Sequence, residues 1–195
     1  TIGLELQHVQ DATLTDVENF FYKYYRPNNA ILTISGGISA DNALQLAKKW
    51  FGDIPSGEPF NRNIAMEPEQ QAAKFQHVKK DVPVNVIYKA WKMPGRIEPL
   101  YYATNLLSDV LGLGESSRLQ HALKKETKLF TDIAAYITGS IDTGMFIITG
   151  KLAEGITYEQ AEQGIQQELD KIKQAPITDA ELTRVKNTVE MDIAS

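Results

Sequence analysis

One apolar strand stands alone between two helices at the front of this chain, and no second strand is predicted before residue 74. The strand is Ala30-Ile31-Leu32-Thr33-Ile34-Ser35, bounded by Asn28-Asn29 and Gly36-Gly37 and read as buried. A single strand leaves backbone donors and acceptors unpaired on both edges. Residues 1–55 therefore cannot close a sheet alone and are expected to present an exposed apolar edge, which invites dimerisation. The helix before the strand reads as opening on a Thr15-Asp16-Val17-Glu18 capping box, with Leu14 and Phe20 as a hydrophobic staple. Val17, Phe20, Phe21 and Tyr24 form its apolar face, and Pro27 stops it. The helix after the strand is capped by Ser39, repeats Ala43, Leu44, Ala47, Trp50 and Phe51 at helical spacing, and ends before Gly52.

Helical and strand periodicity then vanish from Asp53 to about Ala72, where Pro55, Gly57, Pro59 and Pro68 are interspersed with Asn61 and Asn63. A structureless stretch of that length marks a boundary. We read residues 1–55 as the tail of a preceding, partial domain, 56–72 as a linker and 73–195 as most of a second domain. The second domain reads as strands at 74–79 and 84–93, a helix over 100–111 broken by Gly112-Leu113-Gly114, and a short helix begun by Ser116 with Leu119, Ala122 and Leu123 inward. A strand pair over 130–138 and 145–151 follows, then a helix capped by Thr157 and a last one opened by the box Thr178-Asp179-Ala180-Glu181. That order gives an α+β fold, with helices packed on an antiparallel or mixed sheet.

Little chemistry is written in the residues themselves. With no Cys among 195 residues, thiolate zinc sites, iron–sulfur ligation, disulfides and thiol nucleophiles are all excluded. A formal net charge of −5 gives no footprint for nucleic acid, and no apolar run is long enough to span a bilayer. The compartment is left open, with cytoplasm favoured over periplasm. His8, His77 and His121 are too far apart in sequence for a helical two-histidine zinc pair. Gly112-Leu113-Gly114 lacks the Lys-Ser/Thr of a phosphate loop, and Ser116 and Ser117 sit in no nucleophile elbow. No catalytic residue, metal ligand or cofactor of the chain's own is expected.

Several segments in order carry a resemblance. They are Thr1-Ile2-Gly3, the turn Tyr25-Arg26-Pro27-Asn28-Asn29 with the strand closing at Gly36, and Trp50-Phe51-Gly52-Asp53-Ile54-Pro55. Further on come Leu107 to Gly114 followed by Ser116-Ser117-Arg118-Leu119, then Gly144-Met145-Phe146, and Glu181-Leu182. Together they resemble the pitrilysin/insulinase family of inverted-motif zinc metallopeptidases, in its form similar to mitochondrial processing peptidase. The resemblance implies that family's metallohydrolase fold. It also implies that the zinc ligands and the general-base Glu belong to a metal-bearing domain upstream of Thr1, so that zinc is a cofactor of the full-length parent only.

The resemblance further implies two substrate contacts. The family's Arg, and a Tyr seven residues later, help hold the substrate carbonyl; here the matching positions are Lys124 and Thr131. Lys keeps the charge without the bidentate fork, and Thr lacks the reach of a phenol. Read plainly, Lys124 is an exposed helix residue and Thr131 a strand residue. Gly112 and Gly114 align with a loop that contacts substrate in mitochondrial processing peptidase, although a helix-breaking role serves them equally. The implied partners are the upstream metal-binding domain and a peptide substrate, with a homo- or heterodimer left open. The leading expectation is a non-catalytic segment of a zinc-dependent metalloendopeptidase that forms part of a peptide-binding chamber. The alternatives are a catalytically silent structural or assembly subunit of the same fold, and an unrelated α+β binding module.

Overall fold

The computed structural model describes residues 5–59, 65 and 67–194. It divides into two units, Thr1–Phe75 and Gln76–Ser195. Thr1-Ile2-Gly3, Asn61 and Asn63 lie outside the described residues.

The first unit holds α1 (Leu6–Gln10), α2 (Leu14–Tyr24), a short 3₁₀ turn (Pro27–Asn29) and α3 (Ala40–Phe51). The α2 cap is Thr13, two residues earlier than the sequence pattern suggests. Asp16 is the reason: its carboxylate accepts from the Thr13 N–H at 2.9 Å while the Thr13 hydroxyl accepts from the Asp16 N–H at 3.2 Å. Starting at Leu14 also gives the Thr13 carbonyl its helical donor, Val17 N. The turn that ends α2 is pinned by side-chain amides. Asn29 donates to the Tyr24 carbonyl, and Asn28 both donates to the Gly57 carbonyl and accepts from the Gly57 N–H. Ser39 caps α3 by accepting from Asn42 N.

The expected strand at 30–35 is absent. Ala30 is extended, but the segment has no ladder partner among the described residues, and Ile31 is 96% exposed rather than buried. An extended backbone becomes a strand only when a neighbour takes its hydrogen bonds. None of the first unit's described residues is buried. The apolar edge expected on 1–55 is thus present, with Phe20, Phe21, Leu32, Trp50 and Phe51 all exposed.

The second unit is built on a three-stranded antiparallel sheet of order β1-β3-β2, from β1 (Val86–Met93), β2 (Phe130–Ile137) and β3 (Gly144–Leu152). Alternation assigns the faces. Phe146, Ile148 and Leu152 of β3, Ile133 and Ala135 of β2, and Met93 of β1 turn inward and join one core. Against this face pack α4 (Tyr101–Gly112), a π-helix (Gln120–Glu126) and α5 (Tyr158–Gln174), while α6 (Asp179–Ala194) packs on α4. Leu111, Leu119, Leu123, Ala161 and Ile165 bring the helices' share of the core. Lys89 lies on the same inward face and is neutralised by Glu162 of α5 at 2.9 Å. The caps at Thr157 and Thr178 form where the sequence places them.

Two other expectations change here. Residues 74–79 form no strand: Phe75 and Val78 remain exposed, so the alternation has no buried face to favour it. Ser116 caps nothing; the buried Ser117 instead donates its hydroxyl to the Gly114 carbonyl, and helical structure begins at Arg118. That helix widens into a π-turn, with Thr127 N reaching back five residues to the Ala122 carbonyl. Lys128 closes it at φ 54°, in the left-handed region usually taken by glycine.

Candidate functional site

The inward face of the second unit's sheet packs on its helices, leaving an opening at Trp91 between α4 and α5, whereas the outward face is left open by every described element of that unit. Register places the outward residues in rows across the strands β1, β3 and β2. One row is Ala90–Ile147–Tyr136 and the next is Tyr88–Thr149–Ala134. Tyr88 is 69% and Tyr136 43% exposed. Charge is confined to the ends of the face, with Lys92 beside Met145 at one end and the Lys151–Asp132 pair at the other. Antiparallel sheets with one solvated face normally place polar side chains there; this one keeps its two central rows uncharged.

Beside the sheet, the loop after α4, the π-helix and the start of α6 form a tightly bonded corner. Arg118 grips Glu181 with both arms of its fork, Nε to Oε1 at 2.6 Å and Nη2 to Oε2 at 2.8 Å. The Arg118 guanidinium, followed by the Thr178 amide and hydroxyl, brings the Glu181 carboxyl down to about 2. Arg118 also reaches the carbonyls of Ala175 and Pro176, tying the α5–α6 turn to the π-helix. Within the same corner, Lys124 and Lys125 converge on the Glu115 carboxylate at 3.1 and 3.2 Å. Their hydrogen bonds hold the Glu115 carboxyl below its usual range.

These contacts locate the four residues singled out in the sequence. Lys124 is half-buried, its ammonium on Glu115. Thr131 is the extra residue of a β-bulge between Phe130 and Asp132, and its hydroxyl donates to the Lys151 carbonyl at 3.3 Å. Gly112 ends α4 against β2, where a Cβ would lie 2.0 Å from Ala135 N. Gly114 takes φ +77° in open space. The structure links Gly114 to Lys124 through Glu115, which follows Gly114 in the chain. It engages Thr131 separately, with the backbone of β3. Sequence reasoning missed the Arg118–Glu181 bridge, although both residues lay in segments it had marked, and it missed the open sheet face. The small residues Ala90 and Ala134, alternating with tyrosines along β1 and β2, were the available signal for that face.

No metal centre fits these residues. Among the described residues no group of three or more His, Cys, Asp or Glu side chains comes together. His77 packs its ring on Tyr158, and His121 faces Glu126 at 3.4 Å.

A one-sided sheet domain with no metal cluster among its described residues, preceded by helices that lack a core, agrees with what comparison with known proteins finds. The family model described as the peptidase M16 inactive domain matches residues 11–189. The chain belongs to that family. Zinc protease PqqE of Helicobacter pylori is 28% identical over 193 residues, which are 97% of this chain and 44% of PqqE. A crystal structure of a protease from Helicobacter pylori superposes with a TM-score of 0.85 at 27% identity, covering 97% of this chain and 47% of that one. The crystal structure of a peptidase M16 inactive domain from Pseudomonas fluorescens shares the fold, with a TM-score of 0.80 at 20% identity over 95% of this chain and 44% of that one. This M16 inactive domain therefore spans somewhat under half the length of these relatives. The α+β architecture and the non-catalytic, metallopeptidase-type character expected from sequence both stand.

Proposed function

We propose that the chain serves as the non-catalytic wall of a peptide-binding chamber in a zinc-dependent metalloendopeptidase. The metal and its ligands would belong to another segment of the parent. The observation that carries this reading is the open, uncharged sheet face in a domain of the M16 inactive family. A wall needs one face fixed by a core and the other free for substrate, and the second unit is built that way. The first unit supports it from another side. Its unpaired, exposed apolar segment at 30–35 and the exposed faces of α2 and α3 suit docking on a sheet of the metal-bearing half. Within this reading Lys124 supplies the charge near the substrate carbonyl and Thr131 a hydroxyl, while Gly112 and Gly114 shape the adjoining loop.

The test is to produce the chain together with the metal-bearing half of its parent and follow hydrolysis of an unfolded fluorogenic peptide. Cleavage is expected only when both halves and zinc are present, and a chelator abolishes it. Chelator-insensitive cleavage, or an equal rate without this chain, refutes the proposal. One observation favours a second reading, a silent assembly subunit: Lys124 and Thr131 are already bonded within the chain, to Glu115 and to the Lys151 carbonyl. Under that reading the assembled halves cleave nothing.

A further inference from the structure

The outward sheet face has a composition that selects among peptides. From the register and the usual strand spacing, Tyr88 and Tyr136 stand on opposite edge strands, one row apart, with their Cα atoms about 12 Å from each other. Each faces an alanine across the sheet: Tyr136 shares a row with Ala90, and Tyr88 shares a row with Ala134. Between them runs β3, offering Ile147 and Thr149. The result is a shallow trough, floored by small and apolar residues and flanked diagonally by two phenol rings. Lys92, Lys151 and Asp132 are kept to its ends.

We infer that this trough holds an extended peptide through apolar or aromatic side chains at alternate positions. Tyr88 and Tyr136 are its specificity-determining residues. The inference rests on the chamber reading and adds the class of substrate. An extended chain repeats on one side every two residues, about 6.6–6.8 Å, the same spacing that separates the two rows. A peptide laid along β3 therefore sets side chains i and i+2 over Ile147 and Thr149. Apolar side chains there gain contact with the rings and the methyl-bearing floor. A charged side chain would lose water over the two central rows, where no counter-charge is present to compensate. Tyrosine is well suited to such a wall, being large and amphipathic with few rotatable bonds.

The test measures anisotropy of a fluorescein-labelled, unstructured peptide with Phe at alternate positions, titrated with the full 195-residue chain. Matched peptides carrying Asp or Lys at those positions serve as comparison. Apolar residues of the first unit are also exposed, so the tyrosine substitutions, rather than binding itself, carry the test. Tyr88→Ala and Tyr136→Ala are each expected to weaken Phe-peptide binding roughly tenfold, in line with aromatic anchors at other interfaces. Tyr88→Phe and Tyr136→Phe retain binding. Both side chains are exposed, so thermal melts of the variants should match the parent chain. Alanine variants that bind like the parent chain overturn the inference, as does equal binding of the charged peptides. The assay needs neither zinc nor cleavage, so its failure is distinct from that of the chamber reading. Tyrosine-dependent binding without zinc-dependent cleavage by the assembled halves refutes the peptidase while keeping the trough.

Discussion

Replacing Glu181 with Gln tests whether the corner that joins the π-helix to α6 is held by charge. The carboxylate accepts two bonds from Arg118, at 2.6 and 2.8 Å, and two from Thr178, both at 2.9 Å. These hold the Glu181 carboxyl at about 2, against an ordinary value of 4.5. At about 1.36 kcal/mol per pH unit, that gap corresponds to at most about 3.4 kcal/mol of native-state stability. The Arg118 and Glu181 side chains are 20% and 25% exposed, and solvent screening reduces the expected figure to about 2 kcal/mol. The sign follows from proton binding. As pH falls, the unfolded chain protonates Glu181 first, near 4.5, while the native protein resists until about 2. The contribution is therefore complete above pH 4.5 and disappears as pH falls towards 2. The chain has two tryptophans, Trp50 and Trp91, one in each unit. Urea unfolding followed by Trp91 fluorescence in a Trp50→Phe background thus reports on the second unit alone. Glu115 and Asp170 are also held below their usual range by lysines, so the acid curve of one protein is not diagnostic. The diagnostic quantity is the stability difference between parent and Glu181→Gln chains. It is expected to be about 2 kcal/mol at pH 7 and to shrink steadily below pH 4.5. A difference that stays constant from pH 7 to pH 2.5 would refute the reasoning.

Three further substitutions probe the backbone around the same corner. Lys128→Gly should stabilise the chain by about 0.5–1 kcal/mol, because the left-handed φ of 54° strains a side-chain-bearing residue more than glycine's added unfolded freedom costs; an unchanged or lower urea midpoint counts against it. Gly112→Ala should destabilise by about 2 kcal/mol or more, since the new methyl meets the backbone of Ala135. Gly114→Ala, strained at φ +77° but in open space, should cost only about 1 kcal/mol. Equal losses for the two glycines would show that packing against β2 is not what Gly112 provides.

What could be read from the sequence follows how local each signal is. The caps at Ser39, Thr157 and Thr178 and the helical repeat of α3 are set within one or two helical turns, and the helices form where predicted. The hairpin of β2 and β3 was equally legible, because both strands and their turn lie within one short stretch. At the front of α2 two boxes compete, and Thr13 prevails over Thr15 through the reach of Asp16, a choice that spacing cannot rank. The strands expected at 30–35 and 74–79 failed for a different reason. Both have suitable side chains, but a ladder needs a second chain segment to accept its hydrogen bonds, and the described residues provide none. The candidate site divides in the same way. Lys124 and Thr131 could be located by alignment to a pattern, yet their partners, Glu115 and the Lys151 carbonyl, depend on a loop and a bulge that no local spacing specifies. The tyrosine-flanked face was hidden for the opposite reason. Each strand shows ordinary alternation, and only the pairing of Ala90 with Ile147 and Tyr136, and of Tyr88 with Thr149 and Ala134, turns three unremarkable patterns into one surface. A one-residue slip of β3 would bury Ile147 and Thr149 and expose Phe146 and Ile148. The core that fixes that register is therefore also what creates the trough.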